Sequence, residues 1–194
     1  MTETGKQEAR SHRMYAVPDQ QLHERFAFRT IRKEESSQAA RIEMICFPPN
    51  EACSKEMIVS RIERVPELFL VVEDRGTGEL AGFLSGLATN ESVFRDDFFS
   101  DAGLYDPNGT NIMLLGLDVL PDYRGQGLAR ELMYEYLRRE CKKGTRSVRL
   151  TCLPAKIEMY KKMGFYDEGV SQSTWGGEKW HEMSCVLNGP VIGQ

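Results

Sequence analysis

The chain has 194 residues, a formal net charge of −4, and 28% charged against 41% hydrophobic residues. That length suits one domain with a real core. The acidic balance argues against a general nucleic-acid binder, which needs a basic surface, and no stretch approaches 18 uninterrupted apolar residues, so no membrane span is expected.

The polar first residues contain no apolar leader segment. Five cysteines, none in a Cys-x-x-Cys pair, read as free thiols in a reducing, cytoplasmic setting. Three scattered histidines form no ligand cluster, so no metal is expected.

In chain order, residues 1–25 are polar and aperiodic and read as a tail or loosely docked arm. They precede a domain spanning 26–189 and a short tail at 190–194. A first strand is expected at 27–31. Ser36 and Ser37 then offer caps for a helix running to Phe47, with Ala39, Ala40, Ile42, Glu43 and Ile45 on one face. Pro48 and Pro49 end it.

Ser54 precedes a second helix, with Met57, Ile58, Ile62 and Val65 on one side and Arg61, Glu63 and Arg64 on the other. Strands at 69–73 and 80–88 flank a glycine-containing turn and predict a hairpin. Segment 89–110 has several aromatics among acids (Phe94, Phe98, Phe99, Tyr105) and reads as a packed flap on the substrate side.

Residues 112–120 are nearly all apolar, as in a central strand covered on both faces. Pro121 ends the strand. A turn with Gly125 and Gly127 leads into an amphipathic helix at 127–143, with Gly144 beyond it. Free N–H groups and the helix dipole at such a junction favour an anion. The helix face with Arg138, Arg139, Lys142 and Lys143 reads as solvated, with attraction for a phosphate as the alternative.

A strand at 147–153 follows, parallel to the previous one because a helix separates them. A short helix at 155–163 and two closing strands at 165–171 and 180–187 complete the chain. A Gly-x-Gly-x-x-Gly dinucleotide site is disfavoured, because position 130 is Arg.

Arg124-Gly125-Gln126-Gly127-Leu128-Ala129 matches Arg/Gln-x-x-Gly-x-Gly/Ala, and Tyr160 precedes Gly164-Phe165. On these two motifs the chain resembles the GNAT N-acetyltransferases. On two shorter segments, 65–70 and 181–187, it is most similar to their serotonin (arylalkylamine) members. The resemblance implies an α/β (α+β) fold, a mixed central sheet flanked by helices with a strand–glycine turn–helix cradle.

The resemblance also implies acetyl transfer from acetyl-CoA to a primary amine, a small (aryl)alkylamine or a polyamine. Backbone groups of Leu117 and Val119 would pair with the pantetheine arm. N–H groups of Gly125, Gln126, Gly127, Leu128, Ala129 and Arg130 would hold the diphosphate, with Arg124 fixing the turn. Tyr160 would assist thiolate departure and the Val119 N–H would polarise the thioester carbonyl.

A base is harder to place. Arylalkylamine relatives carry His-x-His where Met113 and Leu115 stand here, and histone-type relatives carry Glu where Asn111 stands. Asp118, His181, Glu182 or a water relay remain. Cys152 faces the thioester by resemblance but reads as an apolar filler. Trp175 and Trp180 are candidates for an acceptor pocket. The alternative function is a non-catalytic acyl-CoA sensor of the same fold, and a homodimer is left open.

Overall fold

A computed structural model describes residues 17–187. Of the tails expected at 1–25 and 190–194, residues 1–16 and 190–194 lie outside the described residues. One seven-stranded sheet runs in the order β1-β2-β3-β4-β5-β7-β6. Its strands are β1 (Phe26–Thr30), β2 (Phe69–Asp74), β3 (Leu80–Thr89), β4 (Asn111–Val119), β5 (Ser147–Cys152), β6 (Tyr166–Val170) and β7 (His181–Val186). Only β4 and β5 pair in parallel. The crossover joining them is helix α5 (Leu128–Lys143), as the sequence predicts.

The end of the expected arm is ordered. Gln20–Arg25 forms a short helix, α1, whose N-cap Asp19 accepts from Leu22 N–H. It is docked beside the start of α5: His23 Nε2 lies 2.9 Å from the buried Glu131 carboxylate, and Arg25 reaches Gln126 Oε1 at 2.9 Å. A six-residue helix is marginal alone, so these contacts and the packing of Leu22 hold it.

Helix α2 (Ser36–Cys46) is not capped by its serines. A 3-10 turn at Lys33–Glu35 runs straight into it, and Glu35 instead accepts from the Arg32 N–H and binds Arg29. Helix α3 (Lys55–Arg64) starts at the expected cap, Ser54. The 89–110 segment is folded: α4 (Asp97–Ser100) and a 3-10 turn at Ala102–Leu104 pack Phe94 and Phe98 against Leu87, Met113 and Leu115.

Both sheet faces are covered. Along β2, Leu70 and Val72 join the cluster under α5, while Phe69 and Val71 join the cluster under α2 and α3. Alternation along a strand puts these sets on opposite faces. Every residue of β3 is buried accordingly. Strand β4 carries a bulge: Ser85 pairs with Gly116 and Gly86 with Leu114, leaving Leu115 without a partner. The extra residue shifts the alternation, so Leu114, Leu117 and Val119 all turn toward the α5 cluster. The apolar run at 112–120 hides this interruption.

Two expected surface assignments change. Arg61 is 2% exposed, not on an outer face. Only part of the α5 face expected to be solvated changes: Lys142 and Lys143 are exposed, whereas Arg138 binds Glu131 and Glu135, and Arg139 binds Glu135 and the Phe28 carbonyl. Strand β1 and α1 cover that side, which is why Glu131 is buried. Among the described residues no helix is long and apolar enough to cross a membrane.

Candidate active site

The glycine turn follows β4 directly. A 3-10 turn, Pro121–Tyr123, leads to Arg124, whose Nε donates to the Val119 carbonyl at 2.8 Å and ties the turn to the strand. Gly125 and Gly127 have φ of 76° and 89°, a left-handed conformation that a side chain disfavours. Helix α5 makes its first backbone bond from Glu131 N–H to Gly127 O. Among the described residues the N–H groups from Gly125 through Arg130 have no acceptor. Such a run of free donors at a helix N-terminus, unobstructed by side chains at the glycines, fits a diphosphate.

The strand leading into this turn has an open edge. Pairing of β4 with β5 stops at Met113 opposite Arg149, although β5 continues to Cys152 and remains paired with β7 throughout. Leu120 N–H bonds back to Ala81 O on β3. By alternation the main-chain groups of Leu117 and Val119 point the other way, into the gap. A partly extended ligand arm can take β5's place there, which is the fit expected of pantetheine.

The gap is part of a cleft of about 660 Å³. Leu117, Val119, Arg124, Gly125, Gly127, Leu128, Ala129, Arg130 and Tyr160 all border it, so the residues singled out from sequence meet at one place. Gln126 does not border it; its side chain faces Arg25 and the Asp122 carbonyl.

Tyr160 comes from the short helix α6 (Ile157–Lys162), which a 3-10 turn at Pro154–Lys156 sets against the end of β5. Its ring stands edge-on to Phe165 at 5.8 Å between centroids. Among the described residues its hydroxyl has no hydrogen-bond partner. Burial, then Cys152 and Asp118, raise the phenol above its ordinary value. It therefore stays protonated and able to donate at neutral pH. Cys152 shares the cleft wall, its thiol pushed up to about 11 mainly by burial. It is a poor nucleophile there.

The opposite end of the cleft is made of side chains. Phe47, Pro48, Phe99, Trp175 and Trp180 line it. Phe99 stacks on Trp175 at 4.6 Å between centroids. Trp175 Nε1 donates to the Glu51 carbonyl, and Asp96 accepts from Ser173 Oγ and Thr174 N–H. The 89–110 flap and the Trp175 turn are thus tied into one wall. Glu51 also borders the cleft; burial and Glu178 raise its carboxyl.

The three base candidates fall elsewhere. His181 Nδ1 is 2.9 Å from Asp167, and Glu182 accepts from Arg149 at 2.9 Å; neither borders the cleft. Asp118 is fully buried, and among the described residues the Cys46 thiol is its hydrogen-bonding neighbour. Its carboxyl is pushed well up, first by burial and then by Glu43. Glu43 itself, 2% exposed, borders the cleft. Sequence reasoning passed over it, although a carboxylate inside the apolar stripe of α2 was a visible signal.

The comparisons agree with this geometry. The acetyltransferase (GNAT) family matches residues 34–165. No curated protein matches the chain by sequence. Among solved structures, the loading GNATL domain of CurA from Lyngbya majuscula superposes with a TM-score of 0.72 at 15% identity, over 84% of this chain and 98% of that one. The GphF GNAT-like decarboxylase in complex with isobutyryl-CoA gives 0.68 at 17%, over 84% and 100%. The ribosomal-protein-S18-alanine N-acetyltransferase from Escherichia coli gives 0.64 at 19%, over 87% and 98%. At such identities these likenesses speak for the fold alone. The family match covers most of the chain, and its turn, open strand edge and cleft fit an acyl-CoA, so the chain belongs to the acetyltransferase (GNAT) family and is an acyltransferase.

Proposed function

We propose that this acyltransferase moves the acetyl group of acetyl-CoA to a primary amine with an apolar body, an aryl- or alkylamine before a polyamine. The observation that carries this reading is the far end of the cleft, where aromatic walls stand beside the carboxyls of Glu43 and Glu51. A cationic head on an apolar body suits both. The serotonin-type resemblance of the sequence points to the same class of acceptor.

Acetyl-CoA supplies the activated acyl group. The free N–H groups of residues 125–130 hold its diphosphate, and Leu117 and Val119 align its arm. The Val119 N–H polarises the thioester carbonyl. The neutral amine attacks that carbon; a C–N bond forms and the C–S bond breaks. Tyr160 gives its proton to the departing thiolate, and the proton shed by nitrogen as the amide forms restores the phenol. The five free cysteines fit the reducing cytoplasm as its setting.

The test is release of free thiol from acetyl-CoA, followed with a chromogenic reagent across aromatic amines, linear polyamines and peptide N-termini. Turnover should be greatest with the aromatic amines. Thiol release confined to peptides would overturn the acceptor assignment.

A further inference from the structure

Helix α2 and strand β4 bring two carboxyls together at the point where the cleft passes β4. A Cβ placed on Gly116 would lie 3.1 Å from Asp118 Oδ2 and 3.5 Å from Glu43 Oε2. The missing side chain at Gly116 leaves space on that side of the strand, and Gly116 and Glu43 both border the cleft. Asp118 is sealed behind them. Glu43 is held: its Oε1 accepts the Cys53 N–H at 2.8 Å. Arg61 is anchored nearby by Ser85 Oγ at 3.2 Å and the Phe99 carbonyl at 3.0 Å.

We infer that Glu43 is the proton acceptor for the incoming amine, with Asp118 as the positioning residue that shares its site. This rests on the reading of the protein as an amine acetyltransferase. The two sheet faces explain the division of labour. Tyr160 packs with the cluster under α5, whereas Glu43 lies on α2, which packs on the other face. The gap between β4 and β5 joins the two sides. A donor entering along α5 and an amine entering past α2 therefore meet at the open edge of β4.

The charge balance suits the role. Burial raises the Glu43 carboxyl, opposed by the Cys53 N–H and by Arg61. Asp118, enclosed beside Glu43, is raised well above the ordinary carboxylate range, first by burial and then by Glu43. Cys46 on α2 is pushed up to about 11 by burial and by Asp118, so it stays neutral. Arg124, in the turn, favours charge on Asp118 but is outweighed by burial. Two carboxyls so placed cannot both ionise cheaply, and of the two Glu43 is the one that borders the cleft and can exchange a proton with an amine there. An amine arrives as its ammonium ion. One proton passes to the Glu43 carboxylate, freeing the nitrogen lone pair for attack on the thioester carbon. Glu43 then returns that proton to solvent through the cleft.

The test compares wild type with Glu43→Gln on amines of graded basicity. Wild type should acetylate all of them, with kcat/KM rising with pH along an acidic limb set by Glu43. In Glu43→Gln that limb should move up to the ionisation of the amine itself and kcat should fall ~100-fold for strongly basic amines, with little loss for weakly basic amines that arrive neutral. Acetyl-CoA affinity should not change. Glu43→Asp, less disruptive to α2, should keep the limb at reduced rate. Equal losses across all amines, or an unmoved acidic limb in Glu43→Gln, would overturn the assignment. No turnover by wild type on any amine would instead overturn the acceptor reading itself.

Discussion

The two halves of the cleft are built from different materials. The half proposed to hold the donor is main chain: N–H groups without an acceptor among the described residues after a glycine turn, and the edge of β4 beyond its pairing with β5. The half proposed to take the acceptor is side chain: Phe47, Phe99, Trp175 and Glu43, drawn from α2 and the residue after it, the flap and the turn before β7. Main-chain recognition tolerates changes of side chain but not of backbone conformation. Side-chain recognition does the reverse, so it can be retuned for a new acceptor while the donor half stays fixed.

The largest expected effect breaks the donor half. Gly127→Glu puts a side chain where φ is 89° and a negative charge where the diphosphate is proposed to sit. Coenzyme A affinity should fall more than ~100-fold by calorimetry, with the thermal melt still cooperative. Retained affinity would remove the turn from the site. Next comes Tyr160→Phe, which removes one donor at the junction of the halves. It should lower kcat ~100-fold while coenzyme A affinity stays within about twofold. Because burial raises the phenol, wild type should show no alkaline loss of rate from Tyr160 below pH ~10. An unchanged kcat in the variant would leave the tyrosine as packing.

Trp175→Ala tests the acceptor half alone. Its ring stacks on Phe99 and faces the cleft, so truncation should raise KM for an aromatic amine ~10-fold, with KM for acetyl-CoA unaltered. Equal shifts in both constants would mean that the wall supports the whole cleft and does not read the acceptor.

The same division decides what the sequence disclosed. The donor half was legible because glycines needed for a left-handed turn, a proline ending a strand and a tyrosine before Gly-Phe are local signals. The parallel pairing of β4 with β5 followed from the helix between them; the insertion of β7 between β5 and β6 did not. The acceptor half was not legible, since it joins residues such as Glu43, Phe99 and Trp175 that are far apart in the chain. The bulge at Leu115 was hidden in a nearly continuous apolar run. Arg61 looked like the polar side of α3 because period alone cannot show that the flap closes over it; the Phe99 carbonyl that receives it belongs to that flap. Helix α1 was missed because its order comes from Glu131 and Gln126, more than a hundred residues away.

The smallest expected effect sharpens the comparison most. Gln126 lies within the glycine turn, yet its side chain turns away from the cleft to Arg25 and the Asp122 carbonyl. Gln126→Ala keeps the N–H and removes only two exposed side-chain hydrogen bonds, each worth little in water. Coenzyme A affinity should stay within ~2-fold of wild type, because the donor is the main chain. A tenfold loss would show that side-chain identity matters in the cradle as well, and the contrast between the two halves would fail at its strongest point.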